Sequence, residues 1–279
     1  MFHYCFIGII SFILFALPLF QMGPAMAQTG TCAIDIGMPL PDLIVDPGKL
    51  KADLVLTTEP FDATDCAVVE GCVSSTGTHL LLRFSSSTPN IGKGDLVIGD
   101  PKSCPNLTDA YHFSECHGHY HFKDYSDYRL WTDAGYKKWI TYRVPGVPPN
   151  QGVNADLIAS ALQNKQLKLG RKQGFCVIDV TPYPIPGMTT PPQKYKTCGG
   201  PNSTGNQGLQ VGWSDVYGAN LDCQWVEMDG LPDGYYVLED EVNPERLFPE
   251  SNYENNSASV RFRFFAPKGN KRARLTLTK

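Results

Sequence analysis

Apolar and polar residues alternate over short runs along this chain, which predicts mostly β-strands. The clearest runs are bounded by turn residues and occupy residues 79–84, 120–131, 139–144, 175–180 and 259–265. Residues 224–228 and 235–238 flank a segment rich in Asp, Gly and Pro, a pattern typical of a hairpin. Short strands with frequent turns predict a mainly β fold built on a β-sandwich core.

Helical periodicity is concentrated in one segment, residues 154–168. Apolar residues recur there at the spacing of one helix face. These residues are Leu157, Ile158, Ala161 and Leu162. The sequence therefore predicts one or two short helices beside the strands.

Two long stretches, residues 92–113 and 181–214, lack either periodicity. Loops longer than about 12–15 residues are uncommon in compact domains unless they are functional or tied down. The 26 glycines and 22 prolines are spread through the 279 residues, which indicates turns rather than disorder. Cys198 lies in the second stretch, so we expect long irregular loops tied by disulfides.

The N-terminal segment has the features of a secretory leader. Residues 1–27 contain no Lys, Arg, Asp or Glu, and Ala25-Met26-Ala27 resembles a small-residue cleavage site. The apolar run of residues 5–20 is shorter than the roughly 20 residues that a membrane span needs. We predict a signal peptide over 1–27, a short segment over 28–40, secretion, and no stable membrane insertion. An uncleaved anchor is the alternative.

The cysteines support an exported chain. Removing the leader removes Cys5 and leaves an even number of cysteines, which in an exported protein indicates disulfides. They are Cys32, Cys66, Cys72, Cys104, Cys116, Cys176, Cys198 and Cys223. The pairing that the sequence suggests is the short loop Cys66–Cys72. A zinc site is the alternative, but no C-x2-C pair occurs in the chain.

The net charge of −4 is unevenly distributed, because Lys and Arg are concentrated in residues 267–279. The remaining body is acidic, which argues against nucleic acid as a partner. We predict that residues 267–279 form a basic, solvated C-terminal tail.

Three histidines, His117, His119 and His121, alternate within five residues. In an extended strand, side chains at such spacing lie on one face and could bind one ion. Imidazole suits copper, zinc, iron or nickel, and the order of affinities favours Cu(II). The alternative is an exposed strand that happens to be rich in histidine. His79 and His112 lack such neighbours and are predicted to be structural or surface residues.

The segment around these histidines, ECHGHYHFKDYSDYRLW at residues 115–131, resembles the copper-binding stretch of lysyl oxidases. Further blocks resemble the same family in the same order. They are residues 41–46, 66–72, 81–84, 172–176, 215–225, 242–244 and 249–256. The resemblance identifies residues 41–266 as a lysyl oxidase-like catalytic domain.

The resemblance implies a copper site and an organic cofactor. His117, His119 and His121 would be the copper ligands, and Lys172 and Tyr217 would form a lysine tyrosylquinone. Without the resemblance, Lys172 reads as a surface cation and Tyr217 as a packed aromatic residue. The fold must bring these two residues together across 45 positions of sequence.

The implied activity is that of a secreted amine oxidase. It would convert peptidyl lysine or another primary amine to an aldehyde, consume O2, and release ammonia and hydrogen peroxide. Such chemistry needs a base for the proton on the carbon next to nitrogen. Asp215 and Asp222 flank Tyr217 and are candidates, but either could cap a turn, and the base stays unassigned.

The last block is rich in oxygen ligands that suit Ca²⁺. It offers Glu250, Asn252, Asn255 and Asn256, with Asp42 and the Leu43 carbonyl as distant partners. The resemblance implies a calcium site there, whereas an Asx-rich turn is the alternative. Two other functions stay open: a non-enzymatic calcium-binding extracellular β-sandwich module, and a zinc hydrolase that uses the three histidines.

Overall fold

The computed structural model describes residues 39–103, 110–172 and 174–278. The predicted signal peptide, most of the segment 28–40, and both Cys32 and Cys104 lie outside these ranges. The helices are α1 (Pro47–Ala52), α2 (Cys66–Val69), α3 (Asp133–Tyr142) and α4 (Gly152–Gln163), with a 3-10 turn at Pro101–Ser103. The strands are β1 (Val55–Phe61), β2 (Gly77–Arg83), β3 (Ser86–Pro89), β4 (Leu96–Gly99), β5 (Tyr111–Ser114), β6 (His119–Lys123), β7 (Ser126–Thr132), β8 (Leu167–Leu169), β9 (Gly174–Phe175), β10 (Thr181–Pro182), β11 (Gln207–Leu209), β12 (Trp213–Tyr217), β13 (Trp225–Glu227), β14 (Gly234–Val242), β15 (Ser257–Phe265) and β16 (Arg274–Leu277).

The largest sheet has the antiparallel order β16-β15-β14-β7-β8. Alternation along β15 buries Val260, Phe262 and Phe264, while Arg261 is exposed. Smaller sheets, β1-β2-β13, β10-β12-β3, β5-β6-β9 and β11-β4, contribute to the same apolar core. The mainly β class predicted from the sequence is confirmed, with four α-helices in the described ranges where one or two were predicted.

A buried charge network lies between β7 and β14. Arg129 is opposite Glu239 in the strand register, and its guanidinium donates to Glu239 at 3.1 Å and to Glu241 at 2.6 Å. The side chain of Arg129 is 1% exposed. The Trp131 indole also donates to Glu239, at 2.9 Å. Because buried charges are costly unless they are paired, this network requires all its members.

Residues 139–144, predicted to be a strand, are mostly helix. Thr132 accepts a hydrogen bond from Gly135 N at 3.2 Å and begins α3. Trp139 is buried, stacks on Trp131, and donates its indole N–H to Glu239 at 3.1 Å. The burial of Trp139 on one face of α3 thus outweighs the β preference of the local sequence.

The predicted hairpin of residues 224–228 and 235–238 was wrong. β13 pairs with β2, whereas β14 pairs with β7 and β15. The Asp229 carboxylate accepts from Leu80 N at 2.9 Å, which holds the turn against β2. The turn therefore carries the chain from one sheet to another.

Within the described ranges, three disulfides join distant parts of the fold: Cys66–Cys116, Cys72–Cys223 and Cys176–Cys198. The predicted Cys66–Cys72 pair was wrong. Cys66 begins α2 and meets the turn after β5, whereas Cys72 is buried against Leu81 and Trp225. The short helix separates the two cysteines and directs each toward its own partner.

Part of the segment predicted as a solvated tail is the edge strand β16, which pairs with β15. Its side chains are half-buried or exposed. Within the ranges that the structure describes, no helix is long and apolar enough to cross a membrane.

Candidate functional site

The histidine cluster lies at the end of the β5–β6 hairpin. His119 and His121 alternate on β6 and share one face, as the spacing predicts. His117 differs from the prediction, because it lies in the turn before β6 rather than in the strand. Gly118 has a φ of 67°, which allows this turn, and the neighbouring Cys116 ties it to α2.

The rings of His119 and His121 converge. Their Nε2 atoms lie 3.1 Å apart, and the ring of His117 is centred 5.3 Å from that of His121. Burial and the neighbouring imidazoles lower the pKa of His121 to about 3, and burial also lowers the pKa of His119. Both rings are therefore neutral at physiological pH, the form that binds a metal ion.

Two further residues reach this cluster: Glu70, which the sequence did not single out, and His112, which was predicted to be a structural or surface residue. Glu70 follows α2, and its Oε2 lies 3.3 Å from Nε2 of His117. His112 on β5 packs its ring at 5.0 Å from that of His121. The sequence signal that could have identified Glu70 was its position within the C-x5-C spacing of Cys66 and Cys72. His79 instead is buried, and its Nδ1 lies 2.7 Å from Oδ2 of Asp229.

Lys172 and Tyr217 meet despite their separation in sequence. The Lys172 Nζ lies 5.3 Å from the centre of the Tyr217 ring. Phe175 meets the same ring edge-on at a centroid distance of 5.1 Å, and the Tyr217 hydroxyl donates to the Cys176 carbonyl at 2.9 Å. The segment that starts at Lys172 thus both fixes Tyr217 and presents an amine to it.

Burial sets the charge of this pair. It lowers the pKa of Lys172 to about 8, against the opposing effect of Glu70, Asp215 and Asp222. Burial, reinforced by Asp215, raises the pKa of Tyr217 well above its ordinary value. A lysine with such a pKa has a sizeable uncharged fraction near neutrality, and only the uncharged amine is a nucleophile.

The two groups share one cavity of about 230 Å³. Its walls include His117, His119, His121, Lys172, Asp215 and Tyr217. Neutral imidazoles are ligands that suit Cu(II), so the donor set fits copper. His117 could bind through Nδ1 while Nε2 stays near Glu70, an arrangement in which a carboxylate orients a metal-binding imidazole.

Comparison with known proteins identifies the family of the chain. A family model for lysyl oxidases matches residues 41–139 and 154–270. The chain belongs to the lysyl oxidase family. It is 27% identical to protein-lysine 6-oxidase of Homo sapiens over 235 residues, which is 81% of this chain and 46% of that protein.

Two other lysyl oxidases are similar to the same extent. Protein-lysine 6-oxidase of Sus scrofa is 27% identical over 81% of this chain and 77% of its own length. Lysyl oxidase homolog 2 of Mus musculus is 27% identical over 80% of this chain and 24% of its own length. The chain therefore spans about half of the human relative and a quarter of the mouse one.

The block that the lysyl oxidase resemblance associates with calcium surrounds a buried carboxylate. Glu250 accepts hydrogen bonds from Leu43 N at 2.6 Å and from the side-chain amides of Asn243 and Asn256, each at 2.7 Å. Burial raises the pKa of Glu250 to about 7. Asn255 donates to Asp42 at 2.9 Å.

Several oxygens of this block are buried without a partner. They are the Oδ1 atoms of Asn243, Asn255 and Asn256. Buried oxygens are normally paired, so these atoms fit a hard cation such as Ca²⁺. Asn252 is not brought to the cluster, because it is exposed and its Oδ1 accepts from Glu254 N at 3.0 Å.

Proposed function

We propose that this chain is a secreted copper amine oxidase of the lysyl oxidase type, with residues 41–266 as its catalytic domain. It converts a primary amine to an aldehyde with O2 and releases ammonia and hydrogen peroxide. The observation that supports this proposal is the approach of Lys172 Nζ to within 5.3 Å of the Tyr217 ring centre, in a cavity walled by three histidines.

His117, His119 and His121 hold the copper, and Lys172 joins Tyr217 to form the lysine tyrosylquinone. Copper with O2 would supply the oxidation of the tyrosine ring, and the quinone would supply a carbonyl for the substrate amine. The protein positions the reacting groups. Phe175 and the Cys176 carbonyl fix the tyrosine ring, while burial keeps a fraction of the Lys172 amine uncharged.

The substrates follow from the cavity and the compartment. Extracellular protein lysines and small primary amines carry the nitrogen that the quinone requires. A predicted leader and the three disulfides among the described residues are typical of an oxidising compartment, where O2 is present. The acidic body disfavours nucleic acid as a partner.

A structural Ca²⁺ completes the proposal. Glu250, Asn255 and Asn256, with Asp42 and Leu43, would provide its oxygens, and the unpartnered amide oxygens support this assignment. Asn252 would have to reorient in order to join them. The unpartnered amide oxygens also favour the second candidate function, a calcium-binding module without enzymatic activity. Formation of the quinone distinguishes the oxidase from this module.

The test is to express the protein with copper, record its visible spectrum, and add phenylhydrazine. We expect a quinone band and a coloured adduct, both lost in Lys172→Ala with little change in copper content. Lys137→Ala, at an exposed lysine of α3, is the matched control and should keep both. Copper-loaded wild-type protein without band or adduct would refute the oxidase and leave the calcium module.

A further inference from the structure

A second ionisable residue lies on the same strand face as Tyr217. Asp215 and Tyr217 are two positions apart on β12, so their side chains project to the same side. Both are buried, and Asp215 is 1% exposed. Both also wall the cavity that Lys172 enters. The strand therefore places a carboxyl group beside the ring that would become the quinone.

The backbone around Asp215 is held firmly. β12 is the central strand of its sheet, and Asp215 pairs with Thr88 of β3. Its carbonyl accepts from the Thr88 hydroxyl at 3.5 Å and from the Ser214 hydroxyl at 3.1 Å. Neighbouring strands thus fix the direction of the side chain, as a positioned reacting group requires.

The Asp215 carboxyl interacts with the Tyr217 side chain and with the backbone of Val216 and Ile178, but one of its two oxygens stays without a hydrogen bond. Its Oδ2 atom is buried and has no hydrogen-bond partner. A buried carboxylate oxygen without a partner is costly and needs an explanation in terms of function. The unpartnered atom belongs to a residue that walls the cavity, where a substrate could provide the hydrogen-bond partner that the protein does not.

The other acidic residues near the cofactor pair are less suitable. Asp222 is exposed, and it is its backbone carbonyl that lies 3.5 Å from the Lys172 Nζ. Glu70 faces His117 and accepts a hydrogen bond from the Ser114 hydroxyl. Asp215 alone among these three combines burial, an unpartnered oxygen and a place on the Tyr217 face.

We propose that Asp215 is the general base of the amine oxidation, a role that rests on the proposed function. The Asp215 carboxylate takes the proton from the carbon that bears the substrate nitrogen, and that C–H bond breaks. The substrate nitrogen would already be joined to the quinone in place of one carbonyl oxygen, which has left as water, so the electron pair of the broken bond reduces the quinone. Water then supplies the aldehyde oxygen, O2 accepts two electrons and two protons to give hydrogen peroxide, and a second water restores the quinone oxygen as ammonia leaves. The substrate must therefore carry a hydrogen on that carbon.

The electrostatics suit this task. Burial raises the pKa of Asp215 well above its ordinary value, while hydrogen bonds from Tyr217 and from the backbone of Val216 and Ile178, and the charge of Lys172, act in the opposite direction. A carboxylate with a raised pKa is a stronger base once it is ionised. Tyr125 and Tyr128 are further ionisable groups that interact with Asp215, and burial raises the pKa of both.

The experiment separates proton removal from cofactor formation. Copper-loaded Asp215→Asn is mixed anaerobically with benzylamine, and loss of the quinone band reports the transfer of the electron pair. We expect this loss to be at least about 100-fold slower than in wild type. Phenylhydrazine needs no proton removal from carbon, so its adduct should form to the wild-type extent. Benzylamine deuterated at that carbon should react measurably more slowly with wild type.

The controls make the result decisive. Asp215→Glu should recover part of the reduction rate, and Asp156→Asn, at an exposed residue of α4, should reduce normally. Reduction of Asp215→Asn within a few-fold of the wild-type rate would overturn the proposal. So would failure of both Asp215 variants to form the quinone, which would assign the residue to cofactor formation. A wild type without quinone refutes instead the proposed function.

Discussion

The Cys176–Cys198 disulfide offers a quantitative test of how the fold holds the candidate site. The two cysteines are 22 positions apart, and the Cys176 carbonyl accepts the Tyr217 hydroxyl. A cross-link mainly restricts the unfolded chain, and a loop of this length is worth about 3.4 kcal/mol. Replacing both cysteines with serine should therefore lower the free energy of unfolding by about that amount.

The assay is urea unfolding of copper-free protein, so that no Lys172–Tyr217 cross-link contributes. In thermal unfolding the same loss corresponds to a fall in Tm of about 7–14 °C for a domain of this size. The Cys72–Cys223 pair spans 151 positions, so its removal should cost more, about 5 kcal/mol. The copper-loaded Cys176→Ser/Cys198→Ser variant should also form less quinone, because Tyr217 loses a fixed partner.

A loss below about 1 kcal/mol on removing Cys176–Cys198 would refute this reasoning. An equally clear contradiction would be a smaller loss for Cys72–Cys223 than for Cys176–Cys198. Alkylation and mass spectrometry of the wild type must first show both bonds formed.

Three further predictions concern other parts of the fold. Arg129→Ala should lower the free energy of unfolding by at least about 3 kcal/mol, measured in urea, because Glu239 and Glu241 lose a buried partner. Burial alone would lower the pKa of His79, but Asp229 and the backbone outweigh it and raise the pKa. The stabilisation that His79 provides is therefore complete below about pH 6.5 and is lost as the pH rises through the folded-state pKa. His79→Gln should thus lower the free energy of unfolding more at about pH 5.5 than at about pH 8.5, and equal losses at the two pH values would contradict this. Adding Ca²⁺ to chelator-treated protein should raise the Tm, and Glu250→Gln should reduce that gain.

The parts of the fold that follow from local pattern were predictable. Alternation along residues 259–265 places Val260 and Phe262 in the core, and β15 forms there. The same rule places His119 and His121 on one face. It fails at residues 139–144, because burial of Trp139 against Trp131 depends on β7 and β14, which the local sequence does not contain.

The site itself was only partly predictable. Local spacing indicated a metal-binding cluster, but His117 sits in a turn whose shape depends on the Cys66–Cys116 bond. The contact of Lys172 with Tyr217 was implied by the family resemblance alone, because no periodicity connects positions so far apart. Glu70 was missed for the same reason, since its nearness to His117 is created by tertiary packing.

The central claim is that Lys172 and Tyr217 form one covalent cofactor, and peptide mapping by mass spectrometry tests it most directly. Copper-loaded protein is treated with phenylhydrazine, digested and sequenced, with Lys172→Ala as control. We predict one labelled peptide in which the segment containing Lys172 is joined to the segment containing Tyr217. Recovery of the two segments as separate, unmodified peptides from copper-saturated, aerated protein would contradict the account.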